Sequence, residues 1–392
     1  MKRIIGLGLF ITLSFIRLLA QEKTQIEING TADLEYLQGG KSSHYYLNGI
    51  HKDLKSGAVR PLELNLLSKI RFNPQWSANF RLQMERDEGL KFNQVRLAQA
   101  NVQWAPKESP WLFTVGRFVS PFGLFANQQL STARTFVDVP LAYGYFINIS
   151  EQLGQVNRLG NGTQIPINGR NEWGIPLQYY NGYSNGLKAR WNIKPGKSAL
   201  EFALTTASPN LPRNFNFAPL NYGLMARLKL QPTYFWKQGF SGSFGKFLQN
   251  HSLNEQLSDR SGYQQTLVGT DFVLGTGHFE WSGELTAGFY RVPEYSPSSK
   301  QYTSHNHHFK AFSAWVDTKY EFPFLVGTYA AWRIETLQFS DDWDQAVLRN
   351  SFVIGAKIKD FILLRSAYCF QSVHNSNQTG YNAWRTTLTL YF

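Results

Sequence analysis

An all-β fold, a sixteen-stranded antiparallel transmembrane β-barrel, is the architecture this sequence predicts, and three observations predict it. Long stretches alternate apolar and polar residues with period two. Short turns alternate with long connections. Aromatics make up 15% of the 392 residues and gather near one end of the expected strands. Period-two alternation gives a strand one oily and one wet face. Strands of about 11–12 residues, rising ~3.3 Å per residue and tilted ~40°, span roughly 28–30 Å, enough to cross a membrane.

The last stretch, 381–392, states the pattern most clearly. Trp384, Thr386, Leu388, Leu390 and Phe392 share one face, and Arg385, Thr387, Thr389 and Tyr391 the other. At the other end, 1–20 reads as a signal peptide cleaved after Ala20. Lys2 and Arg3 precede an apolar run from Ile4 to Ile16, too short to span a bilayer comfortably. The expected mature chain, 21–392, is then a single barrel.

The strands fall in order at 26–36, 62–72, 76–86, 94–104, 111–118, 183–193, 198–207, 221–230, 234–247, 263–274, 278–291, 309–322, 324–338, 346–358, 361–373 and 381–392. The first alternates Ile26, Ile28, Gly30, Ala32, Leu34 and Tyr36 with polar residues. The second and third put even residues outward. The fourth changes parity near Gln99, which predicts a β-bulge. Asn73-Pro74-Gln75, the 194–197 turn with Pro195 and Gly196, Gln231-Pro232-Thr233 and Gly275-Thr276-Gly277 supply turn chemistry. The connections expected to be long are 37–60, 119–182, 248–262 and 292–308. An even strand number and this asymmetry are barrel features. Phe72, Trp76, Trp104, Trp111, Trp191, Phe322, Phe324 and Phe392 fall where an aromatic girdle belongs.

Composition narrows the function classes. Hydrophobic content is 43%, because only alternate barrel residues meet lipid. The single Cys369 excludes an intramolecular disulfide. The net charge of +12 is not gathered into a basic patch or a reader motif, so nucleic acid is not an expected partner. Parity places Lys69, Arg71, Arg81, Lys188, Arg190, Arg227, Lys229, Lys237, Lys319, Arg333, Arg349, Lys357, Arg365 and Arg385 on the inner face. Glu27, Asp33, Glu35, Glu63, Glu85, Glu201, Asp271, Glu280, Glu284, Asp317 and Glu335 share that face. The basic set is the larger, which points to a pore lining with weak anion preference, set against a mixed lumen closed by internal salt bridges.

The 119–182 segment is too long and too aromatic to be idle, with Phe122, Phe125, Phe136, Tyr143, Tyr145 and Phe146. It follows the fifth strand and is expected to fold inward and narrow the pore. Its approach, Val115-Gly116-Arg117-Phe118-Val119-Ser120-Pro121-Phe122-Gly123-Leu124, resembles a stretch of the phosphate- and polyphosphate-selective porin family. Gly116, Phe118, Pro121 and Phe122 carry the match, with Arg117 and Gly123 inside the motif. The terminal Phe392, with Leu390 and Leu388 before it, resembles the C-terminal assembly signal of bacterial outer-membrane barrels. These resemblances imply a cell outer membrane porin of a Gram-negative bacterium. They imply outer-membrane lipid and the barrel-assembly machinery as partners, small polar or anionic solutes as cargo, and a homotrimer. The family's lysine cluster and arginine ladder do not map onto this chain, and Arg134, Arg158 and Arg170 of the loop are balanced by Asp138, Glu151 and Glu172.

Other chemistries have less support. His305, His307 and His308 have ligand spacing but no acidic or Cys neighbour, so no metal site is expected. No Gly-x-Ser-x-Gly elbow is present, and His44, His51, His251, His278 and His374, with Asp341 and Asp342, form no recognisable hydrolase set. The reading is of a channel without enzymatic activity or cofactor. The alternative is a plugged or structural barrel that binds a partner or surface polysaccharide, suggested by the bulky inward residues Phe309, Trp315 and Leu363.

Overall fold

The structure is a computed structural model. It describes residues 24–39, 44–47, 50–53, 57–86, 92–147, 149–150, 154–156, 165–167, 170–172, 175–178, 182–206, 222–246, 263–296, 301–338, 346–373 and 381–392. The signal segment lies outside these. Sixteen long strands form the wall: β1 (Gln25–Gly39), β2 (Ala58–Arg71), β3 (Trp76–Arg86), β4 (Phe92–Trp104), β5 (Trp111–Val119), β6 (Tyr183–Lys194), β7 (Ser198–Thr205), β8 (Gly223–Leu230), β9 (Trp236–Lys246), β10 (Gln264–Thr276), β11 (Phe279–Ser296), β12 (Gln301–Glu321), β13 (Thr328–Gln338), β14 (Val347–Lys359), β15 (Ile362–Val373) and β16 (Tyr381–Tyr391). Each pairs antiparallel with the next, and β1 closes on β16. Two short pieces of the long loop, Ile149–Ser150 and Gly154–Val156, attach to the same sheet.

Closure removes every sheet edge, so each wall strand finds backbone partners on both sides without water. The seam runs from Thr31↔Tyr391 to Gly39↔Ala383. Beyond it, the Gly30 amide donates to the Phe392 carbonyl at 2.8 Å and Phe392 donates back at 3.1 Å. The Phe392 ring lies over Gly30, in space that a Cβ would need. The terminal residue therefore fastens the last strand to the first.

Alternation produces the two faces. Leu64, Leu66, Phe80 and Leu82 are exposed on the outside, while Asn65, Arg81, Gln83 and Glu85 are buried inside. The bulge lies where the fourth strand changes parity: Arg81 pairs with Gln99 and Leu82 with Leu97, leaving Ala98 as the extra residue. At the short-turn end, which is periplasmic in outer-membrane barrels, aromatics stack around the wall. Trp76–Trp104, Trp104–Phe113 and Trp111–Trp191 have centroid separations of 5.8, 5.5 and 5.7 Å. The Asn73 side chain closes the first of these turns, accepting from the Gln75 and Trp76 amides at 2.9 Å.

The 292–308 connection is not the long loop that its Pro, Ser and His content suggests. β11 and β12 run on as a hairpin until Ser296 pairs with Gln301. Pro293 is tolerated because the register shifts between Pro293 and Tyr295, and a bulge spares the ladder its missing N–H.

A lumen clasped on one side

The strand that leads into the long loop bends at Gly116. Its φ is +115°, and its register partner Gly186 has φ +149°. A Cβ at either position would collide with a neighbouring carbonyl, of Ala100 or Leu204. Even residues stay buried through the double bend, Thr114 below it and Phe118 and Ser184 above it. Val115 and Leu187 below it are exposed to the outside, whereas Phe118, Tyr183 and Ser184 above it are buried. Phe118 packs with Ala203 and Met225. Ser120, Pro121, Phe122 and Gly123 are buried as the chain turns into the barrel.

Inside, the loop is held by wall side chains. Glu284 of β11 accepts from the Leu124 amide at 2.8 Å, the Tyr143 hydroxyl at 2.9 Å and the Gln178 amide nitrogen at 2.5 Å. Burial, and then the Glu284 carboxylate, push the Tyr143 hydroxyl well above its ordinary pKa. Glu335 accepts from the Leu141 amide at 2.6 Å. Arg385 of β16 binds both Glu35, at 2.6 Å, and Asp138 of the loop. Arg333 and Arg349 donate to the carbonyls of Asp138 and Val139 at 3.0 and 2.5 Å. Arg365 donates to the Arg134 carbonyl at 3.1 Å, and Arg134 reaches Glu63 at 3.1 Å. The described hydrogen bonds between the loop and inward side chains thus reach β6 at the loop's root, through Ser184 and Lys188, and then β2, β9, β11 and β13–β16. Charge-assisted bonds of this kind contribute about 1.5–3 kcal/mol each. Between them lies an apolar cluster that joins Phe122, Phe125, Leu141, Tyr143 and Tyr145 to Tyr290, Phe309 and Trp315 of the wall.

The other inward cations are distributed unevenly. Arg81 is buried against Glu63 at 3.1 Å and the Tyr183 hydroxyl. Arg227 forks onto both Asp271 oxygens at 2.8 and 2.9 Å, and Arg333 onto Asp317 at 2.6 and 2.7 Å. Lys229 sits 2.9 Å from Glu201, and Arg190, 41% exposed, 4.0 Å from the same oxygen. Lys188 donates to the Val119 carbonyl at 3.3 Å and lies 5.0 Å from the Phe118 ring. On β3–β8, Arg81, Arg96, Lys188, Arg190, Arg227 and Lys229 therefore share the inner face with only Glu85 and Glu201 as described carboxylates. Lys69 is half-buried on β2, while Arg71, beside Glu27 at 3.2 Å, and Lys357 are exposed near the short-turn rim.

Arg96 is an inward cation absent from the parity assignment. It pairs with Glu85 because the Ala98 bulge inverts the parity on its far side. The side chains of His305 and His307 lie outside the described residues, as do those of His44, His51, His251, His374, Asp341 and Asp342; His308 is exposed. Among the described residues no group of three or more His, Cys, Asp or Glu is placed to hold a metal ion.

No family model and no curated protein matches this chain. Solved structures do. An anion-selective porin from Comamonas acidovorans superposes with a TM-score of 0.60 at 8% identity, over 94% of this chain and 100% of the porin. A loop L8 deletion mutant of OmpT, an outer membrane protein of Vibrio cholerae, gives 0.57 at 7% over 95% and 100%. The outer membrane channel DcaP of Acinetobacter baumannii gives 0.56 at 11% over 94% and 97%. The chain has the sixteen-stranded β-barrel fold of these porins and channels.

Proposed function

We propose that this protein is a porin-like channel for passive diffusion of small polar solutes across the outer membrane of a Gram-negative bacterium, with weak anion preference and with 119–182 as its constriction. The observation that carries this reading is the one-sided placement of the loop. Beyond its root on β6 it is bound to one part of the wall, and the opposite part, β3–β8, carries the cationic excess. Ions passing on that side meet Lys188, Arg190 and Lys229, whose field is only partly cancelled by Glu201. The stretch from Gly116 to Gly123 supports kinship with the phosphate- and polyphosphate-selective porins. Leu388, Leu390 and Phe392 are proposed to be read by the barrel-assembly machinery, and the exposed apolar belt meets lipid. A homotrimer accords with the porin fold.

The aromatic cluster between loop and wall favours a second reading, a plugged barrel that binds a partner or surface polysaccharide. Single-channel recording on the refolded protein in a planar bilayer under a salt gradient separates the two. The channel reading expects stable current steps and a reversal potential displaced toward that of the anion. Silence from a correctly folded, heat-modifiable barrel would sink it.

A further inference from the structure

Beneath the loop, at the periplasmic end of β12–β16, the lumen opens into a cavity of about 560 Å³. The loop residues 132–135 form one side, and the 322–328 turn forms the lip. Tyr329 is a built floor. Its ring occupies the space beside Gly355 that a Cβ would fill, and its hydroxyl donates to the Thr135 carbonyl at 2.8 Å. The Lys319 ammonium lies 5.1 Å from the centre of that ring.

Two ammonium groups line this space, and among the described residues the carboxylates that bond them stand at the rim. Lys319, 20% exposed, bonds Glu321 at 2.6 Å, and the Glu321 side chain is 64% exposed. Lys357 is 3.1 Å from Asp360, which is fully exposed. Ion pairs with such solvated partners contribute little and yield to a competing carboxylate. Arg134 also lines the cavity, but Glu63 already engages it at 3.1 Å. Beside the polar Thr132, Thr135, His278, Glu321, Thr328 and Tyr391, the lining has an apolar part made by Ala133, Phe322, Pro323, Val326 and Leu363. A bare inorganic anion would leave that surface wet. A neutral apolar molecule would leave the ammonium groups unused.

We propose that this cavity binds small monocarboxylates with an apolar body, entering from the periplasmic side, the carboxylate on Lys319 and the body against the 322–326 turn and Leu363. The proposal rests on the barrel reading but not on conduction.

The test is titration calorimetry of the full-length refolded barrel with sodium benzoate, sodium acetate and benzyl alcohol. Benzoate is expected to bind at least tenfold more tightly than either comparator. K319Q should lose most of that advantage and K319R should keep it. Equal binding of benzyl alcohol, or unchanged benzoate binding by a heat-modifiable K319Q barrel, would overturn the proposal. Recording in bilayers keeps the two readings apart. Benzoate binding without any conductance refutes the channel and not the cavity. Conductance without benzoate binding refutes the cavity and not the channel.

Discussion

The inner wall has two regions that use the same residue types to different ends. From β9 through the seam to β2, arginines are spent on fixed partners: Arg333 on Asp317, Arg349 on Glu335, Arg385 on Glu35 and Asp138. Each also orders, or sits beside one that orders, the loop backbone. On β3–β8, Arg81 and Arg227 are spent in the same way on Glu63 and Asp271, but Arg190 and Lys229 crowd one Glu201. A charge that is fully paired and buried shapes structure. A charge left over on a hydrated wall shapes the field that a solute meets. The supply of partners, rather than residue type, separates the two roles.

The largest effect is expected from removing the loop. Replacing residues 124–147 by a short Gly-Ser linker should more than double the single-channel conductance, because the wall closes without the loop. An unchanged conductance would mean that the loop does not lie in the conducting path.

Next in size are cuts on the clasped side. Arg385→Ala would leave Glu35 and Asp138 buried without their shared cation, a change that costs about 3–5 kcal/mol. It should appear as a lower urea midpoint for the barrel in lipid vesicles. Arg190→Ala, on the free wall and 41% exposed, should shift that midpoint by less than about 1 kcal/mol. Equal effects would erase the distinction between the two regions. Selectivity should show the reverse order. Neutralising Lys188, Arg190 and Lys229 together to Gln should move the reversal potential to or past zero, while Arg349→Gln should leave it nearly in place.

The wall was legible in the sequence because pairing and burial impose period two on every strand, and the aromatic girdle and the bulge near Gln99 write themselves into local pattern. Strand ends were less legible. Only the partner strand shows that Tyr302 faces Tyr295 in an extended hairpin. The clasp was legible only in outline. Aromatics in 119–182 announced a packed segment, but the Leu141 amide meets Glu335 across 194 residues of sequence, and irregular backbone carries no periodicity from which a partner could be read. The paired positive φ at Gly116 and Gly186 hid in two residues with no side chain to alternate.

The finest cut is at Tyr143, one donor among several on Glu284. Tyr143→Phe removes the hydroxyl but leaves the Leu124 amide and Gln178 to hold the carboxylate. The expected loss is about 1–2 kcal/mol, smaller than for Arg385 because no charge is left unpaired by the change. A signature in pH distinguishes this clasp from simple packing. The folded-state pKa of Tyr143 is raised, so below the unfolded value of about 10 its contribution is fully present. Above that value the unfolded chain releases the proton while the folded one retains it, and stability falls as pH rises. The wild-type urea midpoint should therefore drop above pH ~10 more steeply than that of Tyr143→Phe. Parallel curves would show that Tyr143 titrates freely and that Glu284 does not hold the loop through it.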